Sequence, residues 1–261
     1  MKQTLLASLI AAFSVSAFAN SFQHQTDATF GWVDATAGDM QLWTIEHQFY
    51  LAPVSLAGKT PYAEAGFLSR VSSVNAGYSY AEFDFSGSDY SVSAWNIGGE
   101  YKDSQHNFYA ALNIVELNNS DDRGALLSAG YFIRPDWLVK LDARHSRPDG
   151  AGSQTEYGIS TKKLLALEYG NFINIEAYYM DVKDADESEF SVAADYYFGR
   201  NIALGLAYDW TSDDVVNADT DSVTLRGSWY LQPNLALNAA VVWDYLDSDE
   251  QLYKLGASYR F

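Results

Sequence analysis

The 261-residue sequence contains no cysteine, so neither a disulfide nor a thiolate metal centre holds it together. It has four histidines, none in a metal-ligand spacing. No Gly-Lys-Ser/Thr phosphate loop, Gly-x-Ser-x-Gly elbow or EF-hand spacing occurs, so the common sequence signals of phosphate, acyl-transfer and calcium chemistry are missing. Basic residues are scarce, 16 against 34 acids for a formal charge of −18, which argues against nucleic acid as a partner. Beyond the first twenty residues no stretch approaches 18 apolar residues, which excludes membrane-spanning helices. Mean hydropathy is only −0.18. Against these absences stands one excess: aromatics make up 15% of the chain, with 19 Tyr and 7 Trp.

The N-terminus reads as an export signal. Met1-Lys2 is positive, Thr4 to Phe13 is mostly apolar, and Ala17-Phe18-Ala19 supplies a small-x-small cleavage pattern before Asn20. The apolar run is too short to cross a bilayer as a helix, which takes about 20 residues. Residues 1–19 are therefore expected to be cleaved, leaving 20–261 as one domain.

That domain alternates. Tyr253, Leu255, Ala257, Tyr259 and Phe261 are apolar, and Lys254, Gly256, Ser258 and Arg260 between them are polar or small. Alternate residues of a strand face opposite sides, so one face suits lipid and the other water. The same period runs through Leu235–Tyr245, Val223–Leu231, Ile202–Trp210, Phe190–Phe198, Asn171–Val182, Trp137–Ser146, Arg123–Arg134, Phe108–Leu117, Tyr90–Lys102, Pro61–Val74, Met40–Leu51 and Ser21–Asp34. Tyr157–Leu167 breaks register at Lys162-Lys163, where a β-bulge is expected. Asn75–Asp89 reads as a long loop, a hairpin extension or an extra strand.

Connections alternate in kind as well. Tight turns around Ser104, Pro135, Gly170, Arg200 and Pro233 recur every 30 to 35 residues, an internal repeat of one hairpin. Between them lie longer acidic loops, such as Asn118–Asp122 and Ser212–Asp219. Their acids form a hydrated rim, or an entry field favouring cations or divalent bridges to lipopolysaccharide. Aromatics flank both ends: Tyr131, Phe198, Trp229, Tyr259 and Phe261 beside the tight turns, and Tyr179, Trp210, Trp243 and Tyr245 beside the loops. Two aromatic girdles, short turns on one side and long loops on the other predict an all-β fold. It is a transmembrane antiparallel up-and-down β-barrel of about 14 strands, with 12 or 16 as alternatives and both termini periplasmic.

Alternation places Glu64, Arg70, Glu100, Lys140, Asp142, Arg144, Glu176, Asp195, Asp209, Arg226, Asp244, Lys254 and Arg260 on the lumen face. Charges there either set ion selectivity or form a cross-strand lattice that stiffens the wall. Ala203, Gly205, Ala207, Gly256 and Ser258 leave room, which favours an open lumen over a plugged structural or adhesion barrel. An outer-membrane hydrolase needs a His with a hydroxyl or acid on the outer rim. Only His145, near Asp142, Ser146 and Asp149, is placed for that, and catalysis is not expected.

The export signal, the Pro-Asp and Pro-Asn hairpin turns and the terminal Tyr259-Arg260-Phe261 together resemble Gram-negative outer-membrane porins. In particular they are similar to the family called "putative general bacterial porin", in which Pro61–Arg70 looks like the second hairpin. The resemblance implies a passive diffusion channel for small hydrophilic solutes and ions in the cell outer membrane, without cofactor. It implies outer-membrane lipid and lipopolysaccharide as surroundings, and Tyr259 and Phe261 as the signal read by the barrel-assembly machinery. General porins are longer, trimeric, and fold one long loop into the pore. Here most loops are short, Asn75–Asp89 is the one stretch long enough to serve as such a constriction, and a monomer is preferred over a trimer.

Overall fold

A computed structural model describes residues 20–35, 38–85, 88–118, 122–147, 152–182, 187–213, 218–244 and 251–261. The expected signal segment, residues 1–19, lies outside the described residues. The strands are β1 (Ser21–Ala35), β2 (Gly38–Ser55), β3 (Ser73–Phe85), β4 (Ser88–Lys102), β5 (Phe108–Asn118), β6 (Arg123–Arg134) and β7 (Trp137–Arg147). They continue with β8 (Gln154–Ala166), β9 (Phe172–Val182), β10 (Glu187–Phe198), β11 (Ile202–Asp213), β12 (Ala218–Gln232), β13 (Leu235–Asp244) and β14 (Gln251–Arg260). Each pairs antiparallel with its sequence neighbours, and β14 returns to β1, so the sheet closes. Closure pairs the backbone all round the wall, the condition for strands in a medium without water. At the seam the N–H groups of Gln23 and His24 both donate to the Phe261 carbonyl (3.0 and 2.9 Å).

The tight turns join β4–β5, β6–β7, β8–β9, β10–β11 and β12–β13 at the end where the chain starts and finishes, called the turn end below. At the opposite, loop end the tips of the connections lie outside the described residues. Half-exposed Tyr131, Phe198, Trp229 and Phe261 ring the turn end, and Tyr179 is exposed toward the loop end. Tyr259 departs from the expected girdle: it is buried, stacked on Phe261 at 5.8 Å. Tyr245 lies outside the described residues.

The third strand is not where the sequence pattern put it. Pro61–Val74, expected as a strand, belongs mostly to the connection 56–72 between β2 and β3. Pro61 starts a single 3-10 turn at Tyr62–Glu64, the short helix α1 (Ala65–Ser69) follows, and Arg70 ends it in the left-handed region (φ 52°). Ala and Leu favour helix, and this winding lets Ala63, Phe67 and Leu68 all reach buried apolar partners. The stretch Asn75–Asp89, for which the sequence allows a long loop, a hairpin extension or an extra strand, forms β3 and the start of β4, paired without a shift from Ser73↔Glu100 to Phe85↔Ser88. The phase of its aromatics hides it. Tyr78 and Tyr80 share one face, while Phe83 lies on the other and stacks on Tyr90 across the hairpin. One strand moves and the count stays at fourteen.

Nor does β8 contain the expected bulge. It pairs with β7 and β9 in unbroken register. Lys162 enters the lumen, and Lys163 leans outside over the Trp137 ring at 4.3 Å. A long apolar stem lies along the wall while its charge reaches the interface, so adjacent lysines need no irregularity. Register shifts occur instead at Phe22/His24, Phe132/Arg134 and Tyr230/Gln232, all near the turn end.

Candidate functional site

Residues 56–72 fold back from the turn end into the barrel and cross its lumen. Leu56 and Ala65 join Phe22, Tyr50 and Val54 in one buried cluster. Phe67 packs on Tyr109, Phe132 and Leu138, and Ala63 and Leu68 pack on Leu164, Phe172 and Tyr197. On the far side the Tyr62 N–H donates to the Arg200 carbonyl (3.0 Å), and Arg200 donates to the carbonyls of Thr60 and Leu56. Arg260 Nη1 donates to the Tyr62 carbonyl (2.8 Å). The segment thus meets the wall from β2 round to β14.

Glu64 sits in the middle of this segment and is 3% exposed. It accepts a hydrogen bond from the Tyr197 hydroxyl (2.6 Å), and its carboxylate lies 3.0 Å from Lys162 Nζ. Lys162 also donates to Glu176 (2.8 Å), so a β8–β9 pair holds the segment by its one buried acid. Gly66 is required here, because a Cβ would run into the Tyr50 hydroxyl. Arg70 lies 4.2 Å over the Phe132 ring and donates to Asn107 Oδ1 (2.6 Å), and desolvation pulls its pKa down. Glu64 and Arg70 therefore reach the lumen from the inserted segment, not from a strand.

The other candidates stand on the wall. Arg144 on β7 donates to both Glu156 on β8 and Glu189 on β10. Asp142 accepts from Ser128 and Ser160, with Lys140 Nζ 3.9 Å away. Asp195 receives two bonds from Arg226 (2.7 Å each) and one from Asn174 (3.2 Å). Gly205, its opposite neighbour on β11, makes this possible, since a Cβ there would collide with Asp195 Oδ1. Glu100 pairs with Lys102 and accepts from the Tyr109 hydroxyl (3.2 Å). Arg260 donates to Gln25 (2.8 Å) and lies over the rings of Phe22 and Tyr230. Lys254 and Asp209 border the main lumen cavity, of about 800 Å³, which the inserted segment bounds through Ala63, Glu64, Gly66 and Phe67. The side chain of Asp244 lies outside the described residues.

Sequence reasoning passed over Lys162, Glu156 and Glu189. Lys162 shares its phase with Ser160 and Leu164, which the suspected bulge obscured, and Glu189 reads as a loop acid. Of the hydrolase constellation, the described residues His145 and Asp142 do not come together. Asp142 faces the lumen while His145 takes the opposite face and bonds Thr155 (2.9 Å), and Asp149 lies outside the described residues.

Two solved structures share the closed-barrel fold. One is the outer membrane protein Omp33 of Acinetobacter baumannii, at 20% identity and TM-score 0.74, covering 94% of this chain and 100% of that one. The other, described as a bacterial polysaccharide outer membrane secretin, is 9% identical with TM-score 0.56, over 94% of this chain and 100% of that one. No curated protein sequence matches significantly. The family model described as "Putative general bacterial porin" matches residues 1–152 and 150–261. A closed, charge-lined barrel and a family match along its whole length make this chain a member of that family, an outer-membrane porin.

Proposed function

We propose that this porin passes small hydrophilic solutes and ions between a charged lumen open toward the loop end and a turn end controlled by residues 56–72. The observation that carries this reading is the inserted segment itself: it spans the lumen, yet a single acid, Glu64, anchors its centre to Lys162 and Tyr197. Conduction follows from displacement of that segment, and wall charge sorts ions in the cavity behind it. The mechanism is diffusion, with no cofactor and no covalent step. Residues 1–19 are the export signal, the turn end is periplasmic, Tyr259 and Phe261 serve the barrel-assembly machinery, and the barrel works as a monomer.

The apolar packing around the segment favours a second reading, a permanently plugged structural barrel. Planar-bilayer recording of refolded residues 20–261 separates the two. Stepwise currents are expected, with longer openings in Glu64→Gln, which keeps the size of the side chain and removes its charge. Loss of a hydrogen bond to a charged partner, about 1.5–3 kcal/mol, corresponds to roughly a tenfold or greater rise in open population. Silence from both proteins, with the barrel folded, would leave the plugged reading standing.

A further inference from the structure

We infer that a bay in the lumen wall between β11 and β1 is a binding site for a small organic carboxylate, a reading that presupposes the porin function above. Charge pairing points there first. Lys102, Lys140, Arg144, Lys162 and Arg226 each stand beside a carboxylate. Arg260 donates Nε to Gln25 and Nη1 to Tyr62, and its plane is covered by the rings of Phe22 and Tyr230. Lys254 has neither an acid nor an acceptor among the described residues. The cavity it borders is lined by six basic side chains and four acidic ones, and two further acids, Asp142 and Asp195, stand against Lys140 and Arg226 of the six. Lys254 is therefore the place on this wall where an anion would find an uncompensated charge.

Room and geometry agree. Arg226, Ala240 and Lys254 stand opposite one another across β12, β13 and β14. Their backbones are therefore two strand spacings apart, about 10 Å. Between the two cations the inward residues are small, and a bay of about 300 Å³ remains, bordered by Thr29, Ala203, Ser228, Asn238 and Gly256. Arg226 commits Nε and Nη2 to Asp195, which fixes the guanidinium and leaves Nη1 without an acceptor among the described residues. Asn238 gives one amide hydrogen to Ser258 and keeps another. Lys254, Arg226 Nη1 and the hydroxyls of Thr29 and Ser228 thus converge on one space. The methyls of Ala203 and Ala240 and the Tyr197 ring supply an apolar floor suited to a short carbon chain. This floor favours a ligand with a carbon chain over a fully hydrated ion such as phosphate.

Calorimetric titration of refolded residues 20–261 in detergent tests this with succinate, its neutral diamide and inorganic phosphate. Wild-type protein is expected to bind succinate but not the diamide. Lys254→Gln should weaken that binding at least tenfold, and Lys254→Arg should restore it. Lys140→Gln, whose parent already has Asp142, should leave it within twofold. Absence of succinate binding, equal affinity in Lys254→Gln, or equal binding of phosphate would overturn the assignment. Binding in detergent does not require conduction. A protein that binds but carries no current keeps this site and loses the open pathway, and one that conducts without binding does the reverse.

Discussion

The two ends of the lumen are built on different principles. At the turn end, side chains from the wall and from residues 56–72 make three apolar clusters in which Val54 and Phe132 are all but inaccessible. Beyond the clusters the wall is ionic, with Arg226 gripping Asp195 just past them and Arg144 bridging Glu156 and Glu189 nearer the loop end. Apolar packing is specific to shape and fails when a volume is removed. An ionic lattice beside water tolerates rearrangement, because released charges are resolvated. The turn end therefore sets whether the passage is open, and the loop side sets what enters it.

The packed end should break hardest. Phe132, 1% exposed, packs against Phe67 at 5.8 Å between ring centres and lies 4.2 Å from the Arg70 guanidinium. Phe132→Ala removes both contacts, and truncations of this kind cost about 3–5 kcal/mol. Because β6 remains paired along its length, the loss is expected to fall on docking of the inserted segment rather than on the barrel. The expected record is a channel open most of the time, with the heat-modified gel shift of the folded barrel retained. Conductance unchanged from wild type would mean that this packing does not hold the passage shut.

On the ionic side the effect should be on selectivity and smaller. Arg226→Ala removes one positive charge and leaves Asp195 with only Asn174, so the net charge of the pair falls from zero to −1. The reversal potential in a potassium chloride gradient should move toward cation preference by several-fold in permeability ratio, with the opening frequency unchanged. A changed opening frequency with an unchanged reversal potential would reverse the division between the two ends.

The same contrast explains what the sequence shows and what it hides. Strands such as β14 and β11 are legible because lipid outside and water inside impose period two on every residue, and the hairpin turns punctuate them at a regular spacing. The inserted segment is not legible. Ala63, Ala65, Phe67 and Leu68 pack on protein inside the barrel and never meet lipid, so no lipid-water boundary writes a pattern into them, and a chance alternation passes for a strand. β3 fails for the opposite reason, since Phe83 pairs with Tyr90 on the face opposite Tyr78. The lumen charges were legible as a face. Their partners were not, because contacts such as Lys162 with Glu64 join residues far apart in sequence that only closure and insertion bring together.

The smallest effect lies where the two ends of this comparison meet a turn. Asp103, after β4, accepts from the His106 side chain (2.8 Å) and from the backbone N–H groups of Gln105 (2.8 Å) and His106 (3.1 Å). These bonds, the side-chain one foremost, hold its pKa below the ordinary carboxylate value. A group depressed on folding contributes stability that is complete above its unfolded pKa, about 3.9, and is lost as pH falls through the lower folded value. The turn it closes also presents Asn107, in the left-handed region (φ 64°), to Arg70 of the inserted segment. Asp103→Asn should therefore speed amide exchange at Gln105 and His106 at pH 7, where the carboxylate is charged. Below pH 3 the difference should shrink, because the wild-type group is then losing its charge as well. Equal exchange of the two proteins at pH 7 would show that the carboxylate does not order this turn, and docking of Arg70 would then rest on Phe132 and Asn107 alone.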